Sequence, residues 1–247
     1  MNFKIFSIGL LILCLSSCGN TGQNNSFSQP SVVFGDEDFV EVNTDGDNTP
    51  ATPGLLDAIG LSPGGCTLSH LGGGYALSAG HCFANAPFNK VNHVPCNHLI
   101  QNDNINFSIV WSYRGQNNNL PVSYCHKIIL AEWTEHRDFA LIQITSAPKA
   151  QIELSLTSFP PAINSSMTIF SHPESKRLQW SKWCRVLRSN YTQFGYQCDT
   201  AKGSSGAPIF NHKLQLIGIH NGAKDDNNLL LNVGTAASEI TKIISSR

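Results

Sequence analysis

Three short segments carry residue types that could do covalent chemistry. They are Ala76-Leu77-Ser78-Ala79-Gly80-His81-Cys82, Arg137-Asp138-Phe139-Ala140-Leu141-Ile142 and Gly203-Ser204-Ser205-Gly206-Ala207-Pro208. Each has an ordinary structural explanation when it stands alone. The first is a histidine after a small-residue turn, the second an acid capping an apolar strand, the third a flexible glycine-serine turn. Together they supply a base, an acid and a hydroxyl in the chain order His81, Asp138, Ser205. A serine hydroxyl is a poor nucleophile at neutral pH and needs a base within hydrogen-bond reach. A histidine can take that proton and later give it to a leaving group. A carboxylate can hold the imidazole in the right tautomer and stabilise the imidazolium. His-Asp-Ser is one of three chain orders in which such a triad is found.

The elements that must position these residues read as β-structure. The chain has 247 residues, 41% apolar and only 13% charged, with 20 Gly, 12 Pro and 2 Met. Charged residues usually make up about 25% of a globular chain. This composition fits a turn-rich β protein and excludes a helical bundle, a coiled coil or a disordered chain. A net charge of −1 gives no electrostatic reason for a nucleic-acid partner. Candidate strands are 66–70, 75–78, 107–113, 127–132, 138–144, 166–171, 185–187, 195–198, 207–210 and 214–220, separated by Gly-Gly, Asn-Asn and Pro-Pro clusters. The link 145–151 divides them into two groups. Ile240, Ile243 and Ile244 fall at helical spacing near the end. The pattern predicts two packed barrels or sandwiches and a terminal helix.

The N-terminus bears on the compartment. Lys4 precedes an apolar run from Ile5 to Leu15, too short to span a membrane, and small residues Ser16 and Ser17 follow. Leu15-Ser16-Ser17-Cys18 resembles the lipobox of bacterial lipoproteins, with cleavage before Cys18 and acylation of that residue. Loss of residues 1–17 removes Lys4 and no acid, taking the charge from −1 to −2. Residues 19–30 are small and polar and suit a flexible tether. Asp36, Glu37, Asp38, Glu41, Asp45 and Asp47 then form a solvated acidic arm. Of eight cysteines, Cys14 leaves with the signal and Cys18 carries lipid. Six remain, and in an oxidising compartment six cysteines allow fifteen pairings. There is no C-x-x-C pair and the nine His are scattered, so neither a metal site nor a cofactor is expected.

From about residue 32 onward the chain resembles the trypsin-like serine endopeptidases of the chymotrypsin fold. It is most similar to the bacterial V8-like glutamyl endopeptidases and the related lysyl endopeptidases. The matching motifs are Ala79-Gly80-His81-Cys82, Asp138-Phe139-Ala140-Leu141 and Gly203-Ser204-Ser205-Gly206-Ala207-Pro208, the last with Ala207 where the family usually has Ser. Val33-Phe34-Gly35-Asp36-Glu37-Asp38 also resembles the start of V8-like mature domains. The resemblance implies an all-β fold of two six-stranded antiparallel barrels with a C-terminal helix. The corresponding divisions are a signal peptide 1–17, a lipidated tether 18–31 and a protease domain 32–247. Within that domain the first barrel is expected over about 32–146, the second over about 152–235 and the helix over 236–247.

The resemblance also implies roles. Ser205 attacks the scissile carbonyl, His81 is the general base, Asp138 orients it, and the N–H groups of Gly203 and Ser205 form the oxyanion hole. It implies a bridge Cys66–Cys82 around the His81 turn and a bridge Cys184–Cys198 around the hairpin leading to the serine loop, leaving Cys96 with Cys125. For the specificity pocket two readings compete. Thr200 and His220 match the positions that bind a glutamate side chain in V8-like enzymes. Asp199 stands where trypsin-like enzymes place the acid that binds Lys or Arg. A third possibility is a protease-fold lipoprotein that binds without cutting. Expected partners are protein or peptide substrates and, through Cys18, a bacterial membrane, with the chain working as an exported monomer. Animal relatives activate by pairing a freed N-terminus with an Asp directly before the nucleophile. Ser204 stands there and cannot make that ion pair. Residues 5–89 contain no Lys or Arg, which excludes release of the domain by a trypsin-like cut. The chain is therefore expected to be active as made, or to be cut at a non-basic site near Ser31–Val33.

Overall fold

The computed structural model describes residues 32–84, 90–96, 107–154 and 159–245. The signal sequence, Cys18 and the tether lie outside these residues. The chain begins with β1 (Val40–Glu41) and helix α1 (Pro53–Asp57). Next come β2 (Ile59–Leu61), β3 (Thr67–Gly72), β4 (Tyr75–Ser78), β5 (Lys90–Pro95), β6 (Ser108–Trp111), β7 (Val122–Trp133) and β8 (Asp138–Thr145). The second half holds β9 (Ser166–Ser171), β10 (Gln179–Ser189), β11 (Gln193–Tyr196), β12 (Pro208–Asn211), β13 (Leu216–Asp226), β14 (Leu229–Ala236) and helix α2 (Ala237–Ser245). Among the described residues, no helix is long and apolar enough to cross a membrane.

Both sheets close on themselves. In the first, the order β7-β6-β2-β3-β4-β8 returns to β7, with β5 added outside β7. In the second, β10-β11-β14-β13-β12-β9 returns to β10, with β1 added outside β10. All these pairings are antiparallel, so the fold is the expected pair of six-stranded barrels. Closure removes the free strand edges that an open sheet would expose.

Successive strand residues point to opposite faces, and here both faces are buried. Ala76, Ala140 and Ile142 fill the first barrel with Ile109, Trp111 and Ile128. Ile169 and Ile209 fill the second with Met167, Val186, Phe194 and Tyr196. The residues next to them, Leu77, Phe139, Phe170 and Phe210, point outward into a third cluster between the barrels. Leu56 and Ile59 join that cluster, as does Ile240 of α2, with Ile243 and Ile244 packed at its edge. The isoleucines at helical spacing thus dock the terminal helix against the barrel junction.

Residues 32–42 differ from the expectation that placed them in the first barrel. They lie on the second, with Val40 opposite Trp180 and Glu41 opposite Gln179. Asn232 and Asp199 hold them there by backbone hydrogen bonds described below. The carboxylates at 36–38 and Glu41 are solvent-exposed, and Asp38 pairs at the surface with Lys182 at 3.1 Å. Strand β14 also has no counterpart among the candidate strands. Its run Leu229-Leu230-Leu231-Asn232-Val233 does not alternate, and the hairpin signal before it is Asn227-Asn228, both with positive φ (54° and 64°). Asn tolerates that conformation better than most residues, which suits a tight hairpin turn.

Candidate active site

His81 sits in a single turn of 3-10 helix, Gly80–Cys82, that leaves the end of β4. The Cys66–Cys82 disulfide ties this turn to the residue before β3. The other two bridges are Cys96–Cys125 and Cys184–Cys198, so the three pairings are those the resemblance implied. Asp138 opens β8, is nearly buried, and uses both carboxylate oxygens on one residue. Oδ1 accepts from the His81 backbone N–H at 2.9 Å, and Oδ2 faces Nδ1 of the ring at 2.7 Å. Burial disfavours the imidazolium, but the Asp138 charge and hydrogen bond outweigh it, so the His81 pKa lies above its ordinary 6.5.

The second barrel fixes Asp138 from behind. The Asp138 N–H donates to Thr235 Oγ1 at 3.1 Å, and Asn221 Nδ2 donates to the Asp138 carbonyl at 2.5 Å. Thr235 Oγ1 in turn donates to Asn221 Oδ1 at 2.9 Å. Next door, Arg137 binds the nearly buried Glu239 of α2, with Nε and Nη2 at 2.7 and 2.6 Å from Oε1. Asp138 belongs to one barrel, and its backbone is held by the other.

The Ser205 loop docks against the histidine turn. The Ser205 carbonyl accepts from Thr67 N–H at 2.8 Å. A side chain on Gly206 would collide with Ser78 Oγ and the Thr67 carbonyl, so the loop approaches as only glycine allows. The Ser205 hydroxyl donates to the Asn221 carbonyl at 3.4 Å. Gly203 has φ +101°, a conformation costly for any residue with a side chain, and a Cβ there would strike the His172 carbonyl. Among the described residues, the N–H groups of Gly203 and Ser205 donate to no protein acceptor, whereas those of Ser204, Gly206 and Ala207 do. Ser204 accepts from Ala201 N–H and donates to Ser171 Oγ at 3.0 Å, so this position makes neutral hydrogen bonds and no ion pair.

The three specificity candidates have different surroundings. Asp199 is nearly buried and committed: it accepts from Phe34 N–H at 2.8 Å and from Asp38 N–H at 3.1 Å. Beside it, Asn232 brackets Val32, accepting from its N–H at 3.1 Å and donating to its carbonyl at 2.8 Å. Thr200 is fully buried, and its Oγ1 has no hydrogen-bond partner among the described residues. His220 is fully buried, with Nδ1 2.7 Å from the Tyr196 hydroxyl. Burial, and then the charge of His81, hold its pKa down to about 3, so it stays neutral. Asn221, Thr235, Asn232 and Thr67 had no separate signal in the sequence. Their roles depend on contacts between segments far apart in the chain.

Fold and site together define a two-barrel protein with a histidine-aspartate pair facing a glycine-rich serine loop. A family model, the trypsin-like peptidase domain, matches residues 64–219, more than half of the chain. The chain belongs to that family. Glutamyl endopeptidase of Staphylococcus epidermidis is 36% identical over 66 residues, 26% of this chain. That match spans 23% of the relative's own length, and the same protein from two strains of the species matches equally. Among solved structures, a Glu endopeptidase in complex with MPD superposes with a TM-score of 0.62 at 19% identity, covering 87% of this chain and 100% of that one. At that identity the likeness concerns the fold.

Proposed function

We propose that the protein is a serine endopeptidase that works through an acyl-enzyme. The observation that carries this reading is the His81–Asp138 pair, with both acid oxygens spent on one histidine, beside the docked Ser205 loop. The Ser205 hydroxyl rests on the Asn221 carbonyl at 3.4 Å; on this reading it turns to the His81 ring in the substrate complex, since catalytic hydrogen bonds often tighten only when substrate is bound. Ser205 then attacks the scissile carbonyl, His81 takes its proton and passes it to the leaving amine, and Asp138 stabilises the imidazolium. The N–H groups of Gly203 and Ser205 stabilise the oxyanion, each such donor contributing on the order of 3 kcal/mol. Water then attacks the acyl-enzyme with His81 again as the base. Three disulfides suit an exported protein, and we propose Cys18 as the lipidation site.

For specificity we infer cleavage after glutamate. The buried Thr200 hydroxyl without a protein partner supports this, since such groups are costly unless a ligand satisfies them. His220 is neutral with Nδ1 2.7 Å from the Tyr196 hydroxyl, and its tautomer with the proton on Nε2 is the one that donates to a carboxylate. The Lys/Arg alternative needs Asp199 to be available, and its oxygens already accept two backbone N–H groups of the arm. The test is hydrolysis of peptides varied at the residue before the cut, with Ser205→Ala as control. Expected are loss of about 10⁶-fold in Ser205→Ala and a Glu preference that Thr200→Val weakens about tenfold. Undiminished activity in Ser205→Ala sinks the enzyme reading, and a basic preference abolished by Asp199→Ala sinks the glutamate reading.

A further inference from the structure

We infer that Thr67 is a positioning residue for the oxyanion-binding turn, resting on the acyl-transfer reading above. Thr67 is the first residue of β3, fully buried, and belongs to the opposite barrel from the turn it touches. Its Oγ1 donates to the Gly203 carbonyl at 2.8 Å, and its N–H donates to the Ser205 carbonyl at 2.8 Å. Its Oγ1 also accepts from His172 N–H at 3.1 Å, and its carbonyl accepts from Ser78 Oγ at 2.8 Å.

The consequence follows from peptide geometry. A trans peptide is planar, with its C=O and N–H pointing in opposite directions, so pinning one aims the other. Four successive carbonyls of the turn are pinned. Lys202 accepts from Glu174 N–H and Ser204 from Ala207 N–H. Gly203 and Ser205 accept from Thr67. The Lys202 and Ser204 bonds aim the Gly203 and Ser205 amides outward, away from protein acceptors. Thr67 locks the two alternate peptides between and after them.

Gly203 is where a lock is needed. Glycine visits positive φ without penalty but is equally free to leave it, so residue type alone does not hold the peptide in place. The Thr67 hydroxyl selects one orientation. It also closes a ring, because the His172–Ser175 loop that reaches Thr67 through His172 N–H is the loop whose Glu174 N–H holds Lys202. Ser204 adds a further tie within its own barrel through Ser171. The turn is thus built from uncharged hydrogen bonds and needs no freed N-terminal amine to take its shape.

The test is steady-state peptide hydrolysis by the whole chain carrying Thr67→Ser, Thr67→Val or Thr67→Ala, each with a thermal melt. Serine keeps the hydroxyl and is expected to stay within about threefold of the parent kcat. Valine removes it and is expected to lower kcat ten- to a hundredfold while KM changes less than about threefold, because the lost orientation matters once the oxyanion forms. Valine strands two buried polar groups, so alanine, which leaves room for a water, gives a second reading in a folded chain. Folded valine and alanine variants with kcat within twofold of the parent overturn the inference. So does a loss confined to KM, or a failure to fold in both, which would make Thr67 a folding residue. A parent chain without hydrolysis overturns the enzyme reading and this inference with it. An active parent with indifferent variants overturns the clamp alone.

Discussion

Asp138→Asn isolates the contribution of the acid to the chemistry. The Asp138 backbone is held across the barrel junction by Thr235 and Asn221, so the asparagine side chain occupies the same place. That side chain has one acceptor oxygen where the carboxylate had two. The partly buried His81 backbone N–H, now 2.9 Å from Oδ1, claims the carbonyl. The NH₂ group then faces Nδ1, and two donors cannot share that 2.7 Å contact. The ring moves its proton to Nε2, which can no longer accept from Ser205. The wrong tautomer has cost about 10⁴-fold in kcat where such a triad has been tested, or ~5 kcal/mol of transition-state stabilisation. The pH profile must shift as well. His81 acts as a base only when neutral, and its pKa is above 6.5, so activity in the parent falls as pH drops through a value above 6.5. In the variant the two influences that raise this pKa are gone and burial remains, so the limb moves below 6.5. The assay is kcat/KM between pH 5 and 9 on one peptide, with melting curves to check the fold. A loss under tenfold, or a limb that stays in place, refutes the reasoning.

Two further outcomes concern stability. Replacing Cys66 and Cys82 by serine opens a bridge with a sequence separation of 16, which should lower unfolding free energy in urea by about 3 kcal/mol and loosen the His81 turn. A change under about 1 kcal/mol would show that the bridge is incidental. Burial holds the pKa values of His172 and His220 in the folded chain at about 4 and about 3, against the ordinary 6.5 of a solvated histidine in the unfolded chain. Between those values the unfolded chain binds protons that the folded chain does not. The contribution of these two residues to stability is therefore full above about pH 6.5 and is lost progressively towards pH 3. His220→Gln should flatten part of that slope in denaturant titrations, and an unchanged slope would contradict the burial argument.

The sequence by itself determined the class of fold and supplied the candidate triad. His81, Asp138 and Ser205 sit in motifs that are local in the chain, and local motifs survive being read without coordinates. The barrel strands at 75–78, 138–144 and 166–171 were visible as short β-type runs between turn signals, and most of their positions are buried. The helix was visible because Ile240, Ile243 and Ile244 lie on one face. What only the tertiary structure decided lies between distant segments. Strand β14 has no alternation because it is nearly buried at Leu231 and Asn232 and exposed at its start, so its pattern gave no period to read. The arm from residue 32 joined the second barrel because Asp199 and Asn232 capture its backbone, and a backbone hydrogen bond leaves no trace in side-chain pattern. For the same reason Asp199 and Thr200, neighbours in sequence, part company in the fold. One carboxylate is occupied by the arm, and one hydroxyl is left without a protein partner among the described residues.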